Sequence, residues 1–186
     1  MNSLWYLFES ELSESQCNEI NDLWSDIDSH KGKIGDQTEY KNVAIRNSDI
    51  NAFPYSSSEQ KAFQEILNPY ITVANRDCFG FNLNGFCEYQ IAQYKPNNFY
   101  SEHLDVQLNE NESQRKLSLT LQLTDPKEYE GGDFIFGSGI NQPSNEALRK
   151  KGSILIFPSF LPHTITEVKE GVRRSLVGWY EGKKWS

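Results

Sequence analysis

Two histidines and one aspartate in the second half of the chain have the residue types and spacing of a metal site. One residue separates His103 from Asp105, and His163 follows much later. In a strand, residues i and i+2 project to the same side, so His103 and Asp105 can face one ion together. Two histidines and one carboxylate form the facial triad that holds non-haem Fe(II) and leaves coordination positions open. A structural site would use four protein ligands instead.

A single His-x-Asp pair is weak evidence, because a strand histidine often only hydrogen-bonds to a neighbour. Arg173, ten residues after His163, strengthens the prediction. The residues between them predict a strand, a turn at Gly171 and a second strand, which would return Arg173 to the metal site. A buried guanidinium needs an anionic partner, and a dicarboxylate chelating the metal would offer its far carboxylate. The alternative is a surface cation beside Arg174.

Alternating polarity predicts the strands that must position these residues. Leucines alternate strictly with polar residues over 117–124, and the polar positions are Ser118, Thr120, Gln122 and Thr124. A period of two is typical of a strand. Further strands are predicted over 86–94, 133–136, 153–157, 163–168 and 175–180. Short strands at this spacing indicate a double-sheet jelly roll. The polar face of 117–124 would line a pocket inside the barrel, or else face solvent.

Helices are predicted in the first half of the chain. Ser13 with Gln16, and Ser57 with Gln60, have the spacing of capping boxes ahead of apolar stripes at helical period. The predicted fold class is therefore α+β, with a double-stranded β-helix (jelly-roll) core covered by N-terminal helices. We expect one domain over residues 1–186, with a helical part at about 1–80 and the jelly-roll core at about 86–182.

Composition excludes several classes of partner. The 186 residues include 18 Lys and Arg against 26 Asp and Glu, a formal net charge of −8. A general nucleic-acid binder or a protein of anionic membrane surfaces would carry the opposite charge. No apolar stretch approaches the ~20 residues of a membrane span, and no basic region of a signal peptide is present. We expect a cytoplasmic, soluble protein that binds neither nucleic acid nor membrane.

The joint pattern resembles the Fe(II)/2-oxoglutarate-dependent dioxygenases and, within them, the prolyl 4-hydroxylase-like branch. The resemblance runs from about Glu88 to Tyr180, roughly half of the chain. It rests on the metal-site residues and Arg173 together with the Tyr94-Lys95-Pro96 turn, Tyr100, the turn at 130–134, the strand at 152–158 and Trp179. The N-terminal half is similar but far less diagnostic.

This resemblance implies a role for each matched residue. His103, Asp105 and His163 match the iron ligands, and Arg173 matches the residue that binds the 5-carboxylate of 2-oxoglutarate. Tyr94 and Trp179 match residues beside the cosubstrate. Gln122, with Thr120 two residues earlier, stands where some members place a tyrosine as a second partner of the 5-carboxylate. That hydrogen bond is therefore missing here or made differently.

An activity also follows from the resemblance: hydroxylation of a C–H bond with Fe(II), O₂ and 2-oxoglutarate, release of succinate and CO₂, and room for ascorbate as a reductant. The expected substrate is a prolyl residue in a peptide or protein, near Arg46 and Tyr100. The polar stretch 31–51 would then act as a lid. Arg46 could instead be a solvated loop cation. An acidic chain favours a neutral or basic protein segment as substrate.

Two other functions remain open from the sequence. The same chemistry could act on a free amino acid, another small molecule or a nucleobase. The chain could also be a non-enzymatic jelly-roll binding module, in which the histidines and Asp105 are structural.

Overall fold

The computed structural model describes residues 4–25, 29–31, 45–106 and 113–185. Within these ranges lie three α-helices: α1 (Glu14–Asn21), α2 (Ser58–Ala74) and α3 (Asn145–Arg149). At the start of α1, the Ser13 hydroxyl accepts a hydrogen bond from the Gln16 backbone while the Gln16 side chain accepts from the Ser13 N–H, which closes a capping box. Ser57 caps α2 through the Gln60 N–H at 3.1 Å.

Thirteen strands are described, in three sheets. Their bounds are β1 (Tyr6–Phe8), β2 (His30–Lys31), β3 (Arg46–Asn47), β4 (Asp49–Ala52), β5 (Leu83–Tyr94), β6 (Phe99–His103), β7 (Ser113–Gln122), β8 (Tyr129–Gly131), β9 (Phe134–Phe136), β10 (Ile154–Pro158), β11 (His163–Ile165), β12 (Val168–Gly171) and β13 (Arg173–Lys183). The major sheet has the order β1-β10-β7-β13-β5-β4-β2, and the minor sheet has the order β3-β6-β11-β9. Strands β8 and β12 pair separately.

The major sheet separates two apolar clusters, as the alternation in β7 predicts. On one face the leucines of β7 pack beneath α1 and α2, against residues such as Cys17, Phe63 and Leu67. The opposite face turns Leu155 and Phe157 toward residues of the minor sheet. The polar residues of β7 share this inner face, so the two sheets enclose the space where the site must form. The predicted α+β jelly-roll class is confirmed.

Strands also occur in the N-terminal part, which the sequence predicted to be helical over about 1–80. Strand β1 forms one edge of the major sheet beside β10, with Tyr6 opposite Ile156. Strand β4 continues the sheet on the other side, next to β5. Short strands carry too few residues for a clear alternation, and their pairing partners are distant in sequence. The helical part thus also supplies strands of the jelly roll.

The predicted lid over 31–51 is described only in part. Residues 32–44 lie outside the described part of the chain, and residues 45–51 contain β3 and most of β4. Among the described helices, none is long and apolar enough to cross a bilayer.

Candidate metal and cosubstrate site

Adjacent strands bring the predicted metal ligands together. In the antiparallel pair β6–β11, His103 and His163 are directly opposite each other. Asp105 lies just beyond β6, where its backbone N–H donates to the Ser159 carbonyl at 2.9 Å. The histidine Nε2 atoms each lie 3.5 Å from an Asp105 carboxylate oxygen. One ligand atom from each residue falls within 4.8 Å of the others, as one ion requires.

Backbone carbonyls fix both imidazole rings. Nδ1 of His103 lies 2.8 Å from the Ser101 carbonyl oxygen, and Nδ1 of His163 lies 3.0 Å from that of Leu161. Because a carbonyl oxygen only accepts, each Nδ1 carries the proton. Each Nε2 therefore presents its lone pair toward Asp105, which is the orientation that a metal ligand needs.

Asp105 is held in its ionised form. Burial acts to raise its pKa, but His163, His103 and a hydrogen bond from Ser118 outweigh burial and place the pKa below its ordinary value. The Ser118 hydroxyl donates to Oδ2 at 2.7 Å and lies 3.0 Å from the Ser159 hydroxyl. Burial lowers the pKa of His163, which favours the neutral imidazole. Neutral imidazoles beside a carboxylate are the protonation states that divalent metals bind.

Aromatic rings wall the metal site. Tyr100 stacks on His103 with ring centroids 3.4 Å apart, and Phe134 stacks on His163 at 5.2 Å. The guanidinium of Arg46 lies 4.5 Å from the Tyr100 ring centroid. Burial raises the pKa of Tyr100 to about 12, so its hydroxyl stays protonated. The structure thus places Arg46 and Tyr100 together beside a predicted metal ligand.

Arg173 lies at the start of β13 as a buried cation. It is only 1% exposed, so a surface location is excluded. Its Nη1 donates to the Ser175 hydroxyl at 3.4 Å, and its Cζ is 5.6 Å from the Tyr94 ring centroid. Its Nη2 is buried and has no hydrogen-bond partner among the described residues. An unpaired guanidinium nitrogen in this position fits a bound anion.

Polar residues of β7 connect the metal ligands with Arg173. Ser118, Thr120 and Gln122 are all at most 5% exposed, so this face lines the interior and does not face solvent. Ser118 contacts Asp105, whereas Gln122 is opposite Ser175, the partner of Arg173. The Gln122 amide oxygen is likewise buried without a partner among the described residues.

Trp179 lies at the metal end of this interior. Its strand register places it opposite Ser118, which hydrogen-bonds to Asp105. The guanidinium of Arg115 stacks 3.9 Å from the Trp179 ring centroid and bonds to Glu88 at 2.7 Å. Sequence reasoning did not single out Arg115, Ser159 or the contact of Ser118 with Asp105. Ser118 could have been noted as the first polar residue of the alternating segment 117–124.

A jelly roll with an interior triad of two histidines and one aspartate defines the class of non-haem iron proteins. The model of the 2OG-Fe(II) oxygenase superfamily matches residues 89–181, which include every candidate ligand and Arg173. The chain belongs to this superfamily, and the resemblance noted in the sequence is confirmed. The donor set fits Fe(II), and the unpaired nitrogen of buried Arg173 fits 2-oxoglutarate.

Relatives and solved structures are consistent with this assignment. A PKHD-type hydroxylase of Parvibaculum lavamentivorans is 35% identical over 96 residues, which cover 50% of this chain and 42% of that protein. The chain therefore spans less than half the length of this curated relative. A prolyl-4-hydroxylase of Pseudomonas putida matches with a TM-score of 0.70 at 19% identity, over 96% of this chain and 92% of that one.

A second solved structure contains a peptide. The prolyl hydroxylase of Trichoplax adhaerens, in complex with a peptide fragment of the hypoxia inducible factor oxygen degradation domain, matches with a TM-score of 0.72 at 16% identity. The match covers 96% of this chain and 83% of that one. At these identities the solved structures establish the fold.

Proposed function

We propose that the chain is an Fe(II)- and 2-oxoglutarate-dependent dioxygenase that hydroxylates a C–H bond and releases succinate and CO₂. One observation carries the proposal. The same interior holds the His103, Asp105 and His163 triad and the buried Arg173, whose Nη2 has no partner among the described residues. A metal site and an anion site along the same buried face of β7 match a ligand that chelates a metal at one end and carries a charge at the other.

The chain's own residues would bind the metal and the cosubstrate, orient them and exclude water. Bound Fe(II) and 2-oxoglutarate supply the activation of O₂. The triad would occupy one face of the metal and leave the other positions open. Arg173 would hold the 5-carboxylate, and the rings of Tyr100 and Phe134 would keep bulk water from the histidines.

Hydroxylation is favoured over halogenation by Asp105. Its carboxylate occupies a ligand position that a halide would need, and Ser118 and Ser159 hold it in place. A halogenating site would carry a small residue at this position instead.

As substrate we propose a prolyl residue in a peptide or protein. Support comes from the fold shared with prolyl hydroxylases, one of them solved with a peptide, and from the rim of the site. The rim consists of Arg46, Tyr100, Leu104 and Arg115; Leu104 is 48% exposed, and both arginines act on the pKa of Tyr100. Guanidinium groups can donate to peptide carbonyls. Arg115 is paired with Glu88, and the acidity of the whole chain favours a neutral or basic segment.

The test is turnover of 2-oxoglutarate to succinate with Fe(II), O₂ and ascorbate, in the presence of neutral or basic proline-containing peptides. We expect succinate and a mass gain of one oxygen atom on at least one of these peptides. His103→Ala serves as a control that should lose both the metal and turnover. A chain that binds no divalent metal and forms no succinate would be a binding module. Oxygen gained by free proline or another small molecule, but by no peptide, would favour the alternative substrate class.

A further inference from the structure

Tyr129, the first residue of β8, has a buried hydroxyl that the site described so far does not use. The residue is 6% exposed and belongs to neither apolar cluster. Its hydroxyl has no hydrogen-bond partner among the described residues. Buried polar groups are nearly always satisfied, so this hydroxyl calls for a ligand or an explanation.

The ring of Tyr129 lies next to Arg173. Tyr129 is opposite Gly171, two residues before Arg173, in the β8–β12 pair. A Cβ atom built on Gly132 would lie 2.9 Å from Arg173 Cδ and 3.6 Å from Tyr129 Cε2. Only a glycine leaves the space in which the tyrosine ring edge and the arginine chain approach each other. The hydroxyl is bonded to the ring carbon next to Cε2, so it belongs to the ring edge nearest Gly132 and the Arg173 side chain.

Arg149 holds this tyrosine in one orientation. Its guanidinium lies 4.3 Å from the Tyr129 ring centroid and donates to the Tyr129 carbonyl at 3.1 Å. It also donates to the Gly131 carbonyl at 2.7 Å and to Asp133 at 2.6 Å. The ring is thus fixed by contacts that leave its hydroxyl unused, which is typical of a preorganised binding group.

A distal carboxylate bound by Arg173 could accept a further hydrogen bond from a neighbouring donor. Nη1 of Arg173 donates to the Ser175 hydroxyl. Nη2 is buried and has no hydrogen-bond partner among the described residues. A carboxylate has about four lone-pair sites, so it can accept from a phenol as well as from a guanidinium.

We propose that the Tyr129 hydroxyl donates a hydrogen bond to the 5-carboxylate of 2-oxoglutarate, alongside Arg173. The inference rests on the proposed function, since it assigns a residue to the cosubstrate of that site. It also accounts for Gln122, because the second partner comes from β8 instead of from the β7 position that Gln122 occupies.

Tyr129→Phe tests the proposal, since it removes the hydroxyl and keeps the ring over which Arg149 lies. Binding is measured without O₂, from the visible charge-transfer absorption of the Fe(II) chelate, for 2-oxoglutarate and for 2-oxopentanoate. The two acids share the chelating end, and 2-oxopentanoate has a methyl group in place of the far carboxylate. We expect Tyr129→Phe to weaken 2-oxoglutarate about ten- to a hundredfold, as for a hydrogen bond to a charged group, and to leave 2-oxopentanoate unchanged.

Tyr70→Phe, on α2 and packed against the helical cluster, is the matched control and should change neither affinity. Equal weakening of both acids by Tyr129→Phe would mean that the hydroxyl only supports the fold, and the proposal would fail. An unchanged affinity for 2-oxoglutarate would also overturn it. A native chain that binds Fe(II) but neither acid would instead refute the proposed function, so the two failures are distinguishable.

Discussion

Asp105 shows how much of the metal site depends on residues that are not ligands. Its backbone is held by Ser159 and its carboxylate by Ser118, so neither the position nor the charge of this ligand relies on the metal. Hydrogen bonds of this kind orient ligands and tune metal affinity. Asp105 is therefore preorganised by two serines. Ser118 lies on β7, and Ser159 directly follows β10.

Ser118→Ala should weaken Fe(II) binding about ten- to a hundredfold, the usual cost of losing a hydrogen bond to a metal ligand. Metal titration followed by calorimetry measures the change. Ser153→Ala is the matched control, because Ser153 is also a buried serine whose hydroxyl makes a hydrogen bond, to the Ala147 carbonyl at 2.7 Å. Equal metal affinity in both variants would contradict a role for Ser118 in holding Asp105.

Arg173→Ala should retain Fe(II) and lose 2-oxoglutarate affinity. Truncating one partner of a buried, hydrogen-bonded charge pair costs about 2–5 kcal/mol, which corresponds to at least about a thirtyfold loss. Arg174→Ala tests whether any arginine of this strand would give the same result. Arg174 bonds to Gln93 at 2.7 Å and lies over Trp24, on the helical side of the sheet. Unchanged cosubstrate affinity in Arg173→Ala would refute its proposed role.

At this scale, the sequence predicted residues whose chemistry is visible in their type and spacing. The His-x-Asp pair and Arg173 belong to this group. Ser118 and Tyr129 do not, because a serine or tyrosine has many structural uses. Their contacts depend on which strands pair and in which register, and that is decided by the fold as a whole.

Among the elements, the turn between β8 and β9 positions the two residues that we propose to bind the far carboxylate, Tyr129 and Arg173. Gly132 adopts a left-handed φ of +63° and packs directly against Arg173. Residues with a Cβ rarely adopt this conformation. The turn thus sets how closely Tyr129 and Arg173 approach each other.

Gly132→Ala should therefore weaken 2-oxoglutarate binding as well as lower stability. The new Cβ would lie 2.9 Å from both Arg173 Cδ and Val168 Cγ2, which forces a shift. Gly139→Ala is the control that separates backbone strain from steric collision. Gly139 also has a left-handed φ, +85°, but nothing lies within 4 Å of its Cβ position. Both variants should lose about 1–2 kcal/mol of unfolding free energy from backbone strain, but only Gly132→Ala should lose cosubstrate affinity. Similar affinities in the two variants would contradict this account.

Strand β7 was predictable from its alternation, since one face packs under the helices and the other lines the pocket. Strands β1 and β4 were not, because three or four residues give no reliable period and their partners lie far along the chain. The predicted lid stays a prediction, since residues 32–44 fall outside the described part.

For the whole molecule, ligand binding should stabilise the fold, because the metal ligands join β6, β11 and the segment after β6. At a ligand concentration of one hundred times the dissociation constant, binding contributes about 2.7 kcal/mol. For a domain of this size, that corresponds to a rise in Tm of about 5–10 °C. Thermal unfolding with Mn(II) and 2-oxoglutarate, with and without a chelator, measures the rise. In His103→Ala the rise should vanish; if it persisted there, the ions would be binding elsewhere.

The net charge of the whole molecule also affects what it binds, although it does not determine the substrate. The net charge of −8 predicts weak binding to nucleic acids. At the rim of the site, Arg115 is paired with Glu88. The cytoplasmic location stays a prediction.

The position of β13 has a consequence for biosynthesis. This last described strand is inserted between β5 and β7, and it carries Arg173 and Ser175. A nascent chain that has not reached Lys183 leaves β5 and β7 with open edges, which are prone to misassociation. The metal ligands leave the ribosome before Arg173 does. A nascent chain that has released its three candidate metal ligands therefore still lacks the residue that we propose to hold the cosubstrate.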